Sequence, residues 1–118
     1  MANFSIRTVV GAGAVVANAF AGSAFEFLGR NSRVTIASTT IAAAATADDI
    51  SATIQYGAEV QLEEGAIHSE ASIDRGPLMP EDIVVDDVAA AGDRLVMRIT
   101  NTGGAARNVR TKVRIIPL

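Results

Sequence analysis

After Arg33 the chain alternates. In RVTIAS, Val34 and Ile36 fall on one face and Thr35 on the other. In DISATIQY the row Ile50, Ala52, Ile54 and Tyr56 opposes Ser51, Thr53 and Gln55. Val60 and Leu62 alternate with Glu59, Gln61 and Glu63. Leu95, Met97 and Ile99 alternate with Arg94, Arg98 and Thr100, and Val109, Thr111, Val113 and Ile115 with Asn108, Arg110, Lys112 and Arg114. DIVVDDV, starting at Asp82, is a shorter apolar run. A period of two sends successive side chains to opposite faces, so these stretches predict strands with one dry and one wet face.

The breaks between them carry turn chemistry. YGAE, LEEG, DRGP, AAAGD and NTGG supply Gly, Asp and Asn, which tolerate positive φ or bond their own backbone. Short strands at roughly regular spacing predict an all-β fold: an antiparallel β-sandwich, single and jelly-roll-like. TTIAAAATADD has no periodic apolar face and reads as a loop with at most one helical turn. FEFLG, and less clearly VVANAF, read as early strands.

The amino-terminal stretch is rich in small residues, broken by Gly11, Gly13, Asn18 and Gly22. It lacks the leucine run of a signal peptide and the sustained hydrophobicity of a spanning helix. We read residues 1–22 as an extended arm carrying a candidate first strand, and residues 23–118 as one sandwich domain. Phe4, Ile6, Val9 and Val10 would be wasted in a solvated tail, so they are the arm's candidate contacts with another copy of the protein.

Composition sharpens this picture. The chain has 118 residues, is 49% apolar, and has four Phe, one Tyr and no Trp. A core built from Val, Ile, Leu and Ala is thin, and burial against other subunits would help it. With no Cys, disulfides, thiolate metal sites and cysteine nucleophiles are excluded.

The charges are segregated. Every acid except Glu26 lies between Asp48 and Asp93, where the single base is Arg75. Beyond Asp93 the chain has Arg94, Arg98, Arg107, Arg110, Lys112 and Arg114 and no acid. The sequence predicts a hairpin turning at NTGGAA, with a basic outer face made by Arg94, Arg98, Arg110, Lys112 and Arg114. The simplest reading of that face is solvation. The next is an acidic surface of another subunit, since separated charges allow head-to-tail association. Nucleic-acid phosphate is the third and less favoured reading, because no aromatic rings interleave the arginines.

A search for chemistry returns little. His68 in EEGAIHSE has Glu63, Glu64 and Glu70 nearby, but one His among acids reads as a solvated loop rather than a metal site. Ser69 would point away from His68 on a strand, which spoils a catalytic pair. The acidic pairs Asp48–Asp49, Glu81–Asp82 and Asp86–Asp87 match no EF-hand loop. The glycines of GAGAVVANAFAG fit neither a P-loop nor a dinucleotide fingerprint. We expect no catalytic residues, no metal and no cofactor.

The carboxyl-terminal third, EDIVVDDVAAAGDRLVMRITNTGGAARNVRTKVRIIPL, resembles the closing strands of single jelly-roll capsid or capsid-associated proteins of icosahedral bacteriophages. The resemblance rests on strand rhythm and on the AAGD and NTGG turns. It implies a non-enzymatic structural virion protein located in the capsid. Such a protein would self-assemble with copies of itself and with other virion proteins, without a membrane. The alternative is a non-enzymatic sandwich binding module for a receptor or carbohydrate, with calcium at an acidic loop and Tyr56 as the hydroxyl-bearing ring. An enzyme is the weakest reading.

Overall fold

A computed structural model describes residues 2–23, 26–41, 50–67, 69–70, 83–103 and 107–118. The strands are β1 (Ala2–Val10), β2 (Val15–Val16), β3 (Ser32–Ile41), β4 (Ile50–Tyr56), β5 (Glu59–Ala66), β6 (Ser69–Glu70), β7 (Ile83–Ala89), β8 (Leu95–Asn101) and β9 (Arg107–Pro117). Among the described residues there is no helix. The all-β expectation holds, with two facing antiparallel sheets consistent with a β-sandwich.

The pairings nest. β4 meets β5 across the tight Gly57–Ala58 connection, β3 meets β7, β2 meets β8, and β1 meets β9 from Ala2 opposite Ile115 to Val10 opposite Arg107. The chain is therefore one long hairpin whose tip is the turn at Gly57. The φ of +63° there favours glycine, and a Cβ would stand 2.7 Å from an Asp93 carboxylate oxygen. Two further contacts, β9 with β3 and β8 with β4, fold this ribbon into its sheets. One sheet runs β1-β9-β3-β7, with β6 added in parallel to the far end of β3; the other runs β2-β8-β4-β5.

The alternation read from the sequence is the alternation of burial. In β4, β8 and β9 the apolar rows are buried and the polar rows are exposed or half-buried. Ile36, Ile54, Leu95, Met97, Ile99, Val109 and Val113 form the dry interior. Phe20 seals the end beneath β1 and meets Phe4 edge to face, with centroids 6.3 Å apart. Tyr56 spans the sheets: its hydroxyl donates to the Val34 carbonyl at 3.0 Å. Burial, reinforced by Asp87 and Asp86, pushes that hydroxyl's pKa far above its ordinary value. Tyr56 is therefore a core residue and not a ring offered to a sugar.

Two asparagines tie down the connections. Asn18 Oδ1 accepts from the amides of Phe20 and Met97. Asn101 is 1% exposed; its Nδ2 donates to the Val10 carbonyl at 3.1 Å, and its Oδ1 accepts from Gly103 N at 2.9 Å. It thus joins the end of β1 to the start of the crossing between sheets.

That crossing corrects the expected carboxyl-terminal hairpin. β8 and β9 are both strands of the expected facing, but they do not pair: β8 lies between β2 and β4, and β9 between β1 and β3. Each strand can bury its apolar row in either sheet, so the local pattern did not decide the partner. The stretch 1–22 supplies β1 and β2, so its first strand lies along β9 of the same chain rather than extending free. Only Val15–Val16 of VVANAF is strand; Phe25 of FEFLG lies outside the described residues, and among the rest of that stretch Phe27 forms a single bridge to Arg94. In TTIAAAATADD, Thr39–Ile41 complete β3, and residues 42–49 lie outside the described residues.

Replacing Asn101 with Ala leaves the Val10 carbonyl without this buried donor, so Asn101→Ala is expected to lower stability by about 1–3 kcal/mol in urea unfolding. A change indistinguishable from zero would mean that Asn101 does not fasten β1 to the crossing.

Candidate interaction surface

In an antiparallel ladder, directly opposed residues share a face, so the register locates the outer surface of the β1-β9-β3-β7 sheet. Arg7, Arg110 and Thr39 form one cross-strand row, and Ser5, Lys112 and Ala37 the next. Asn3, Arg114, Thr35 and Asp86 form the third, followed by Ile116, Arg33 and Val88. The long cationic side chains of β9 thus stand beside a buried strip of small residues on β3, Thr35, Ala37 and Thr39.

At the β7 side of this face the charge is compensated. Arg33 donates from Nε and Nη2 to the two oxygens of Asp86 at 2.9 and 2.8 Å, and Thr35 Oγ1 donates to Asp86 Oδ1 at 2.9 Å. The Arg33 guanidinium, before any other contact, holds the Asp86 carboxyl below its usual range. At the β1 side it is not. Among the described residues, Arg7, Arg110, Lys112 and Arg114 have no ion-pair partner. Arg7 faces Arg110 directly. The Nε atoms of Arg110 and Arg114 and the Oγ1 of Thr39 are buried with no hydrogen-bond partner among the described residues.

The basic residues singled out from the sequence therefore separate. Arg110, Lys112 and Arg114 share the outer face of one sheet. Arg98, opposite Thr53, is exposed on the outer face of the other. Arg94 is engaged locally: its Nε donates to Glu26 at 2.6 Å, and its guanidinium lies 5.9 Å from the centroid of Phe27. The Gly22 amide and then Arg94 hold the Glu26 carboxyl below its ordinary range. Arg7 and Arg33 join the basic face through strand pairing that spans most of the chain, and nothing local in the sequence marks them.

Of the expected arm contacts, Phe4 and Ile6 are half-buried on the inner face of β1 and pack against the core. Val10 is buried, and Val9 is 64% exposed on the outer face. His68 lies outside the described residues, as do the acids Asp48, Asp49, Asp74, Glu81 and Asp82. Among the described residues no group of three or more His, Asp or Glu could hold a metal ion, and no helix is long and apolar enough to cross a membrane. The arrangement can offer hydrogen-bond donors and positive charge to a carboxylate- or phosphate-bearing partner.

No family model matches the chain, and no curated protein matches it.

The depressed Asp86 pKa gives a pH signature. A carboxylate whose folded pKa lies below its unfolded value stabilises the fold above the ordinary carboxylate range and loses that contribution as pH falls through the folded pKa. Asp86→Asn is expected to be less stable than the parent in thermal melts at neutral pH, with the gap closing as pH falls below the ordinary carboxylate range. A gap that persists unchanged in acid would assign the loss to packing instead.

Proposed function

We propose that the protein is a structural component of an icosahedral bacteriophage particle, a jelly-roll sandwich that associates with copies of itself and with other virion proteins. The observation that carries this reading is the nested strand order. A ribbon of antiparallel pairs rolled into sheets β1-β9-β3-β7 and β2-β8-β4-β5 supports a jelly-roll reading, an architecture used by capsid proteins and lectins. The fold alone does not choose between these uses. The surface favours assembly: it carries a row of cations that have no ion-pair partner among the described residues on one sheet, and exposed acids, Glu59 and Glu63, on the edge strand β5 of the other. Tyr56, the ring considered for a sugar-binding module, is buried in the core.

The expected amino-terminal arm changes form on this reading, because β1 meets a neighbour while remaining paired with β9. Function resides in complementarity between copies, with Arg110, Lys112 and Arg114 as electrostatic contacts; catalysis has no part in it.

Light scattering behind size exclusion, with negative-stain microscopy of the same fractions, tests this. The purified chain is expected to exceed the monomer mass at high protein concentration, and to form shells or coat particles when the other structural proteins of its source particle are supplied. Reversing charge with Arg110→Glu and Lys112→Glu, both on the outer face, is expected to leave the melt nearly unchanged and to weaken particle formation at least tenfold. A chain that stays monomeric at every concentration and joins no particle would overturn the proposal.

A further inference from the structure

Strand edges expose unpaired amides and carbonyls, and proteins ordinarily blunt them with short strands, bulges, Pro or charge. Three of this sandwich's described edges are blunted. β2 has two residues. β5 breaks register with β4 between Ala52 and Ile54 and between Ile54 and Gln55, and carries Glu59 and Glu63. β7 breaks register with β3 between Ile36 and Ala37, and carries Asp86 and Asp87. β1 is different. It has nine residues in unbroken register with β9, no proline, and Arg7 as its only charge. At about 3.4 Å per residue it presents an edge about 30 Å long.

The inward row of β1 is also less buried than its ladder partners. Phe4, Ile6 and Thr8 face inward yet are only half-buried, whereas their partners on β9, Val113, Thr111 and Val109, are completely buried. The edge strand β2 of the opposite sheet has two residues, against nine in β1.

We infer that the edge of β1 turned away from β9 pairs antiparallel with β1 of a second copy, joining two molecules in one continuous sheet. The sequence of β1 is complementary to itself in one register. Only a two-fold axis at Ile6 lets all nine residues pair, setting Ala2 opposite the other copy's Val10 and Phe4 opposite its Thr8. On the inner face this register places Ile6 against Ile6 and adds cover to the half-buried row. On the outer face it places Arg7 opposite Ser5, so the one charge does not meet itself. The β9 cations of the two copies stand three strand spacings apart, about 14 Å, beyond the screening length of about 8 Å at physiological salt. The contact is narrow, and so suits a weak dimer that other contacts reinforce in an assembly. It deepens the assembly reading without needing a virion: an isologous pair closes on itself whatever it is built into.

Hydrogen exchange on the full chain, read in dilute and in concentrated solution, tests the edge directly. Amides of β1 are expected to gain protection on concentration while those of β5 and β7 do not. Sedimentation equilibrium supplies the second measurement. Ser5→Lys, an outward-facing change on an exposed position, is expected to weaken dimerisation at least tenfold, and Arg7→Ser to strengthen it, as is added salt. Equal exchange of β1 at both concentrations overturns the inference. So does a dimer that Arg7→Ser or added salt weakens, since that marks pairing of the basic face with an acidic surface. A β1-paired dimer that joins no particle would leave this inference standing and remove the virion reading; particles with an unprotected β1 would do the reverse.

Discussion

The pairing of β9 with both β1 and β3 holds the rest of the sandwich in place. β9 is central in its sheet, and its inward row, Val109, Thr111, Val113 and Ile115, is buried from end to end. Take it away and β1 loses its ladder, β3 loses one of its two long neighbours, and Phe20 loses the strand that holds Phe4 against it. The chain must therefore bring its two ends together before its main sheet exists. Contacts so distant in sequence carry a high loop-closure cost, which places this fold among the slowly folding all-β topologies. The shorter hairpin at Gly57 forms without that cost.

The thin interior explains why polar groups share it. Ser38 and Thr111 hydroxyls lie 3.2 Å apart between the sheets, and Thr111 Oγ1 approaches the Met97 sulfur at 3.8 Å. Small residues of this kind let the sheets approach where larger apolar side chains are few, and the hydroxyls of Ser38 and Thr111 satisfy one another, a carbonyl or the Met97 sulfur instead of water. Asn18 and Asn101 do the same for the connections, binding backbone groups that have no strand partner.

The period-two rows of β4, β8 and β9 were legible from the chain alone because burial on one face imposes them at every position. The all-β class and the turns at YGAE and AAAGD were legible for the same reason, through glycines that adopt positive φ at Gly57 and Gly92. Strand partnership was not. NTGGAA has the composition of a hairpin turn, yet it carries the chain from one sheet to the other. A single sequence does not distinguish those outcomes, since an apolar row is satisfied by either sheet. The basic surface was half legible for that reason. Arg110, Lys112 and Arg114 follow from the pleat of one strand, while Arg7 and Arg33 join them through pairing across the length of the chain, and Arg98 departs to the opposite side.

The nested ribbon has one more consequence. Because Ala2 lies opposite Ile115, the two extremities of this chain emerge at the same corner of the sandwich, while the tip at Gly57 is the point in the fold most distant along the ribbon. A short peptide could bridge that corner, and a cut between Gly57 and Ala58 would then yield a circularly permuted version with every strand pair retained. In such a molecule the order of β1 and β9 along the backbone inverts, and the most distant contact of the native chain becomes a local one.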